Sequence, residues 1–139
     1  MKILVGIEES EGSKKAAQMA VKLAKGCGGT VTGVFVVPPI PSEWKTLGID
    51  PGKDHIDPSA LDKVFGVLKK EAEGAGVTYD TRIFTDAYPS ETLLRLVERD
   101  KYDCLVLGRR RKTGVRKLIL GSVVETVVRN APCSVVVAK

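Results

Sequence analysis

A single histidine, His55, occurs in the 139 residues, and it stands in a polar stretch. A lone imidazole in such a stretch reads as solvated rather than catalytic, which removes most serine and cysteine triad chemistry. The cysteines are few, odd in number and far apart: Cys27, Cys104 and Cys133. They form no C-x-x-C pair, no zinc-ligand spacing and no disulfide framework, which fits a reducing compartment. Cys104 lies in an apolar run and reads as a small core residue. Aromatics make up only 5% of the chain. That is too little for the stacking platforms that hold single strands, so nucleic acid is not an expected partner. No apolar run reaches the roughly 18 residues of a membrane span. A strand pattern begins at once, at Met1-Lys2-Ile3-Leu4-Val5, with no secretory leader. A cytoplasmic location, away from membranes, is expected. G-x-x-x-x-G-K-[ST], G-x-G-x-x-G, G-x-S-x-G and H-E-x-x-H are missing too, which removes the P-loop, the dinucleotide fingerprint, the serine elbow and the zincin site.

What the chain does have is a regular alternation of patterns. Apolar residues make up 43% and charged residues 28%, the composition of one globular α/β domain spanning residues 1–139. Ile3 to Ile7 reads as a buried strand. Ser10 or Ser13 can cap a helix carrying Ala16, Ala17, Ala20, Val21, Leu23 and Ala24 on one stripe, and Gly26 to Gly29 end it. Thr30 to Val37 is a second strand, apolar enough to be buried on both faces. Pro38 to about Asp57 is a long proline-rich connection containing Trp44. A helix follows over Pro58 to Ala75, then a strand from Val77 to Phe84 and a helix from Pro89 to Arg99. Asp103 to Leu107 is a fourth strand. The last helix spans Ser122 to Asn130, with a capping-box pattern in Ser122-Val123-Val124-Glu125. Ser134 to Ala138 is a fifth strand. Strict β-α alternation predicts parallel βαβ units in a doubly wound five-stranded sheet, with helices on both faces.

The charge is concentrated at one place. From Gly108 onward there are eight cations and one anion, a local +7 against +5 for the whole chain. Four of those cations, Arg109, Arg110, Arg111 and Lys112, follow Leu107-Gly108 directly. A strand that ends in glycine and cations, followed by a helix opening on Gly121-Ser122, suits an anion. A solvated basic loop would show the same residues. In a sheet of order 3-2-1-4-5 the strand order reverses between strands 1 and 4, and ligands bind there, beyond the carboxyl ends of the strands. Those ends are Ile7-Glu8-Glu9-Ser10 and Leu107-Gly108-Arg109.

Several segments resemble the universal stress protein family. They are Ile3-Leu4-Val5-Gly6-Ile7-Glu8-Glu9-Ser10, Pro89-Ser90-Glu91, Leu107-Gly108, Thr113-Gly114, Leu118-Ile119-Leu120-Gly121-Ser122, Val123, Glu125 and Ala131-Pro132-Cys133-Ser134-Val135-Val136-Val137. The resemblance runs along essentially the whole chain. It implies a homodimer paired through the last strand, Ser134 to Ala138, which would cover an apolar edge. It also implies an adenine nucleotide, ATP or AMP, which can carry Mg²⁺. Gly108 matches the first motif glycine, and Gly121 and Ser122 the last pair. Glu8 stands at the family's acidic position after strand one, Val36 at its apolar adenine contact and Val123 at a contact inside the last helix. Leu107, Arg109 and Arg111 complete the proposed site. Arg111 stands where nucleotide-binding members carry a second glycine. Its Cβ opposes a close backbone approach, while guanidinium groups can grip phosphate bidentately.

The expected function is that of a stress-linked regulator binding an adenine nucleotide. The alternative is a dimeric protein-interaction module without nucleotide, using Trp44 and the basic loop on unknown protein partners. No positioned general base is visible. At most weak ATP hydrolysis is expected, with Glu8 and Glu9 near a phosphate-bound Mg²⁺.

Overall fold

The computed structural model describes residues 1–39, 58–109 and 121–139. Trp44, His55 and Arg110 to Lys112 lie outside the described residues, so the expectations placed on them stay with the sequence.

Five parallel strands form one sheet in the order β3-β2-β1-β4-β5. The strands are β1 (Lys2–Ile7), β2 (Thr30–Val37), β3 (Tyr79–Thr85), β4 (Cys104–Gly108) and β5 (Ser134–Ala138). Between them run helices α1 (Glu11–Cys27), α2 (Pro58–Ala75), α3 (Pro89–Asp100) and α4 (Ser122–Asn130). Side chains alternate across each strand, so each face builds its own core. Ile3, Val5, Ile7, Val31, Phe35, Cys104 and Val106 pack under α1 and α2. Leu4, Val34, Leu105 and Leu107 pack under α3 and α4. β1 and β4 are central and almost wholly buried, which explains their unbroken apolar runs. Cys104 is a core residue, and burial raises its thiol pKa.

Two expected boundaries shift and one expected cap does not form, each for a local reason. Val77 is not the start of β3. Gly76 turns left-handed at φ 68°, and the Val77 N–H donates to the Ala72 carbonyl, so Val77 closes the end of α2. Gly28 does the same for α1 at φ 63°, with the Gly29 N–H returning to Ala24. The capping box at α4 does not form. Gly121 is the N-cap, Ser122 is already the first helical residue, and the Glu125 N–H bonds back to the Gly121 carbonyl. Asp103 precedes β4 rather than belonging to it; its carboxylate accepts the Lys2 N–H at 2.7 Å. Among the described residues no helix is long and apolar enough to cross a membrane.

Candidate functional site

The crossovers leaving β1 and β4 go to opposite faces, so a crevice opens between their carboxyl ends. It widens into a cavity of about 470 Å³. Of the nine site residues named from the sequence, Glu8, Val36, Leu107, Gly108, Gly121, Ser122 and Val123 line it. Arg109 does not, and Arg111 falls outside the described residues. Arg109 sits at the exit of β4, with its N–H donating to the Ala138 carbonyl at 3.0 Å. Its side-chain Nε is buried without a partner among the described residues.

The wall on the β1 side is fixed by a short relay. Ser10 caps α1 and accepts the Ser13 N–H at 3.2 Å. The Ser10 hydroxyl donates in turn to Glu8 Oε1 at 3.0 Å. The Ser13 hydroxyl accepts the Glu8 N–H at 2.9 Å. Glu8 is thus held at both its backbone and its carboxylate. Glu9 turns away to pair with Lys63 at 3.3 Å.

The junction of β4 with α1 explains Gly108. A Cβ there would stand 2.2 Å from the carbonyl carbon and oxygen of Gly12 and 2.7 Å from the Ser13 nitrogen. A Cβ at Gly12 would stand 2.3 Å from the Arg109 carbonyl oxygen. The two glycines let the first turn of α1 rest directly on the backbone leaving β4. Gly121 is different. It holds φ 83° and ψ 148°, and no described residue lies within 4 Å of where its Cβ would be. Non-glycine residues rarely adopt that conformation. It aims the first turn of α4 at the cavity, leaving the N–H groups there without intrahelical acceptors.

The far wall comes from α3, whose Pro89 and Leu93 line the cavity beside Val34 and Val36 of β2. Asp86 anchors that helix. Its carboxylate accepts the Thr92 hydroxyl at 2.6 Å, the Tyr88 N–H at 3.0 Å and Arg95 at 3.1 Å. The Thr92 hydroxyl first, then the Tyr88 N–H and Arg95, hold its pKa below the ordinary carboxylate value. Sequence reasoning missed Asp86. Its signal was an Asp two residues before Tyr88-Pro89, an Asx turn ahead of a helix opened by proline. It also missed Gly6, Ser13 and Val34 as lining residues. Gly6 is informative because a Cβ there would press to 2.6 Å on a Leu107 methyl. The described residues hold no group of three or more His, Cys, Asp or Glu side chains placed to bind a metal ion.

Comparison with known proteins agrees with this frame. A model of the universal stress protein family matches residues 1–139. The universal stress protein MJ0531 of Methanocaldococcus jannaschii is 32% identical over 148 residues, covering 99% of this chain and 81% of its own. Among solved structures, a universal stress protein from Archaeoglobus fulgidus superposes with a TM-score of 0.75 at 20% identity, covering 100% of this chain and 98% of the other. A second Archaeoglobus fulgidus structure, in complex with dAMP, gives 0.70 at 17% identity, covering 100% and 98%. A family protein from Arabidopsis thaliana with AMP bound gives 0.70 at 18% identity, covering 100% and 91%.

Proposed function

The chain belongs to the universal stress protein family, and from that premise we propose that its β1/β4 crevice binds an adenine nucleotide. The observation that carries this is the cavity itself. Six residues matched one by one to the nucleotide-binding pattern, together with Leu107, line a single space of about 470 Å³, within the usual range for a small-molecule site. The dAMP and AMP complexes of structural neighbours support the ligand class.

The lining divides by chemistry. Val34, Val36, Leu93 and Leu107 offer an apolar slot to the base, and the Glu8 carboxylate offers an acceptor to its exocyclic amine. The N–H groups at the start of α4, set by Gly121, offer donors to an anionic oxygen, helped by the helix dipole. Arg109 and Arg111 add positive charge nearby in the sequence. With no three-residue metal cluster among the described residues, Mg²⁺ would arrive on the phosphates of ATP. The role is binding rather than turnover, and the nucleotide state would be read by partners of a stress-linked regulator. The protein would work as a homodimer through β5, whose outer edge is unpaired in the single chain.

The test has two parts. Small molecules released from purified protein by denaturation should include an adenine nucleotide by mass. Titration calorimetry with AMP, and with ATP with and without Mg²⁺, should give heat. A protein that carries none and shows no heat at millimolar nucleotide would refute the proposal.

A further inference from the structure

Among the described residues, nothing accepts the proton of the Ser13 hydroxyl. The residue is only 4% exposed and sits in the first turn of α1. A serine hydroxyl offers one proton and two acceptor lone pairs. Its acceptor role is filled by the Glu8 N–H at 2.9 Å. For its own proton, no acceptor lies within hydrogen-bond reach among the described residues. Its neighbours differ. Ser10 both accepts from Ser13 and donates to Glu8. Thr92, equally buried, donates to Asp86. Buried hydroxyls are ordinarily satisfied, and one that is not calls for an explanation. Ser13 lines the cavity with Glu8 and Gly108, so a ligand can supply the acceptor.

The position selects which part of a ligand does so. β1 lies between β2 and β4 in the sheet. The apolar slot of Val34 and Val36 is on the β2 side. Ser13 packs on the β4 side, its backbone nitrogen 2.7 Å from where a Gly108 Cβ would be. A base lodged against β2 would carry its sugar and phosphate across β1, toward Ser13 and the start of α4. We propose that the Ser13 hydroxyl donates a hydrogen bond to a phosphate oxygen or a ribose hydroxyl of the bound nucleotide. This rests on the adenine-nucleotide reading above. It makes Ser13 a ligand contact in addition to a support for Glu8.

Both roles predict weaker binding on Ser13→Ala, so the test varies the ligand as well. Affinities of wild type, Ser13→Ala and Ser13→Cys are measured by calorimetry for AMP, adenosine, and the 2′- and 3′-deoxy forms of AMP. Cysteine is close in shape and a weak donor, and it guards against a variant that fails to fold. If the acceptor is a phosphate oxygen, Ser13→Ala loses about tenfold or more for AMP and both deoxy forms, and little for adenosine. If it is a ribose hydroxyl, adenosine suffers with AMP while one deoxy form is spared. In either case Ser13→Cys shows the same ligand pattern at smaller size. Equal loss for all four ligands would mean that Ser13 acts only through Glu8, and this or no loss at all would overturn the inference. Wild type binding none of them would overturn the nucleotide reading itself, a separate outcome.

Discussion

Replacing Gly108 with alanine should damage the fold more than any ligand contact. The new methyl would stand 2.2 Å from the Gly12 carbonyl carbon and oxygen. Relaxed carbon contacts need about 3.5 Å, so β4 and α1 must separate by about 1 Å. Both partners are backbone, and neither can rotate away as a side chain could. β4 carries Leu105 and Val106, and α1 carries Ala16 and Ala20, all fully buried. Separation therefore opens voids in an interior packed at crystal density. Overpacking of this kind costs about 1–3 kcal/mol, and backbone on both sides puts Gly108→Ala near the upper end. For a chain of this length that is a fall in Tm of roughly 10 °C. Gly12→Ala should behave alike, since its methyl would meet the Arg109 carbonyl oxygen at 2.3 Å. The double variant should lose less than the sum, because one displacement relieves both clashes. Gly121→Ala is the contrast. No described residue lies within 4 Å of its Cβ position, so the cost expected is backbone strain, about 1–3 kcal/mol. Relief of that strain would turn the α4 amides from the cavity and weaken nucleotide binding by about tenfold or more. Thermal unfolding followed by circular dichroism, with calorimetry for binding, separates the three. Gly108→Ala melting within about 3 °C of wild type, or additive losses in the Gly12/Gly108 pair, would refute the close-approach argument.

Acid should weaken the fold through two aspartates. Thr92, Tyr88 and Arg95 lower the Asp86 pKa, and Arg99, then Arg82, hold Asp100 at about 2. Both folded values lie below the unfolded one of about 3.9. Their stabilisation is therefore complete above about pH 4 and lost as pH falls toward 2. Urea midpoints measured across that window should fall in wild type and flatten in Asp86→Asn and Asp100→Asn; unchanged slopes in both variants would contradict the assignment. Lys101 ends α3 in a left-handed conformation, φ 55°, which costs a lysine about 1–2 kcal/mol. Lys101→Gly should recover roughly 0.5–1 kcal/mol after the added freedom of the unfolded chain, read as a higher urea midpoint. The Ala138 carbonyl faces β4, so by alternation the Val137 N–H faces the open edge. Val137→Pro should leave the β4–β5 ladder intact and convert a β5-paired dimer to monomer in sedimentation velocity; a persisting dimer would place the interface elsewhere.

The strands and helices were legible because their signals are local. β1, β2 and β4 are apolar throughout, and glycines at 28 and 76 stop α1 and α2 where the pattern stops. Eight of the nine described elements begin and end within about one residue of where periodicity puts them. The misses arise where one local signal has two solutions. Ser122-Val123-Val124-Glu125 fits a capping box, yet Gly121 can cap from one residue earlier, in a conformation that only its missing Cβ permits. Val77 has strand character, yet its N–H is already committed to Ala72. Seven of the nine expected site residues meet at the crevice because the topology fixes which strand ends converge, while Arg109 does not line it. Why each residue is there was not legible. Gly108 looked like a phosphate glycine, and the contact that requires it is Gly12, ninety-six positions away in sequence. No periodicity records a contact of that range.

The two walls of the crevice are therefore held by different physics. On the α1 side, backbone rests on backbone, and Ser10, Glu8 and Ser13 lock one another. That wall is shaped before any ligand arrives. On the α4 side, a helix of nine residues begins at a glycine with no described residue near its Cβ position and no side-chain cap. Its first N–H groups lack intrahelical acceptors, and such groups are satisfied by water or by a ligand. A nucleotide would add most order at that end and little at the other. Because α4 leads directly into β5, the wall that a ligand would order is also the one connected to the open edge of the sheet.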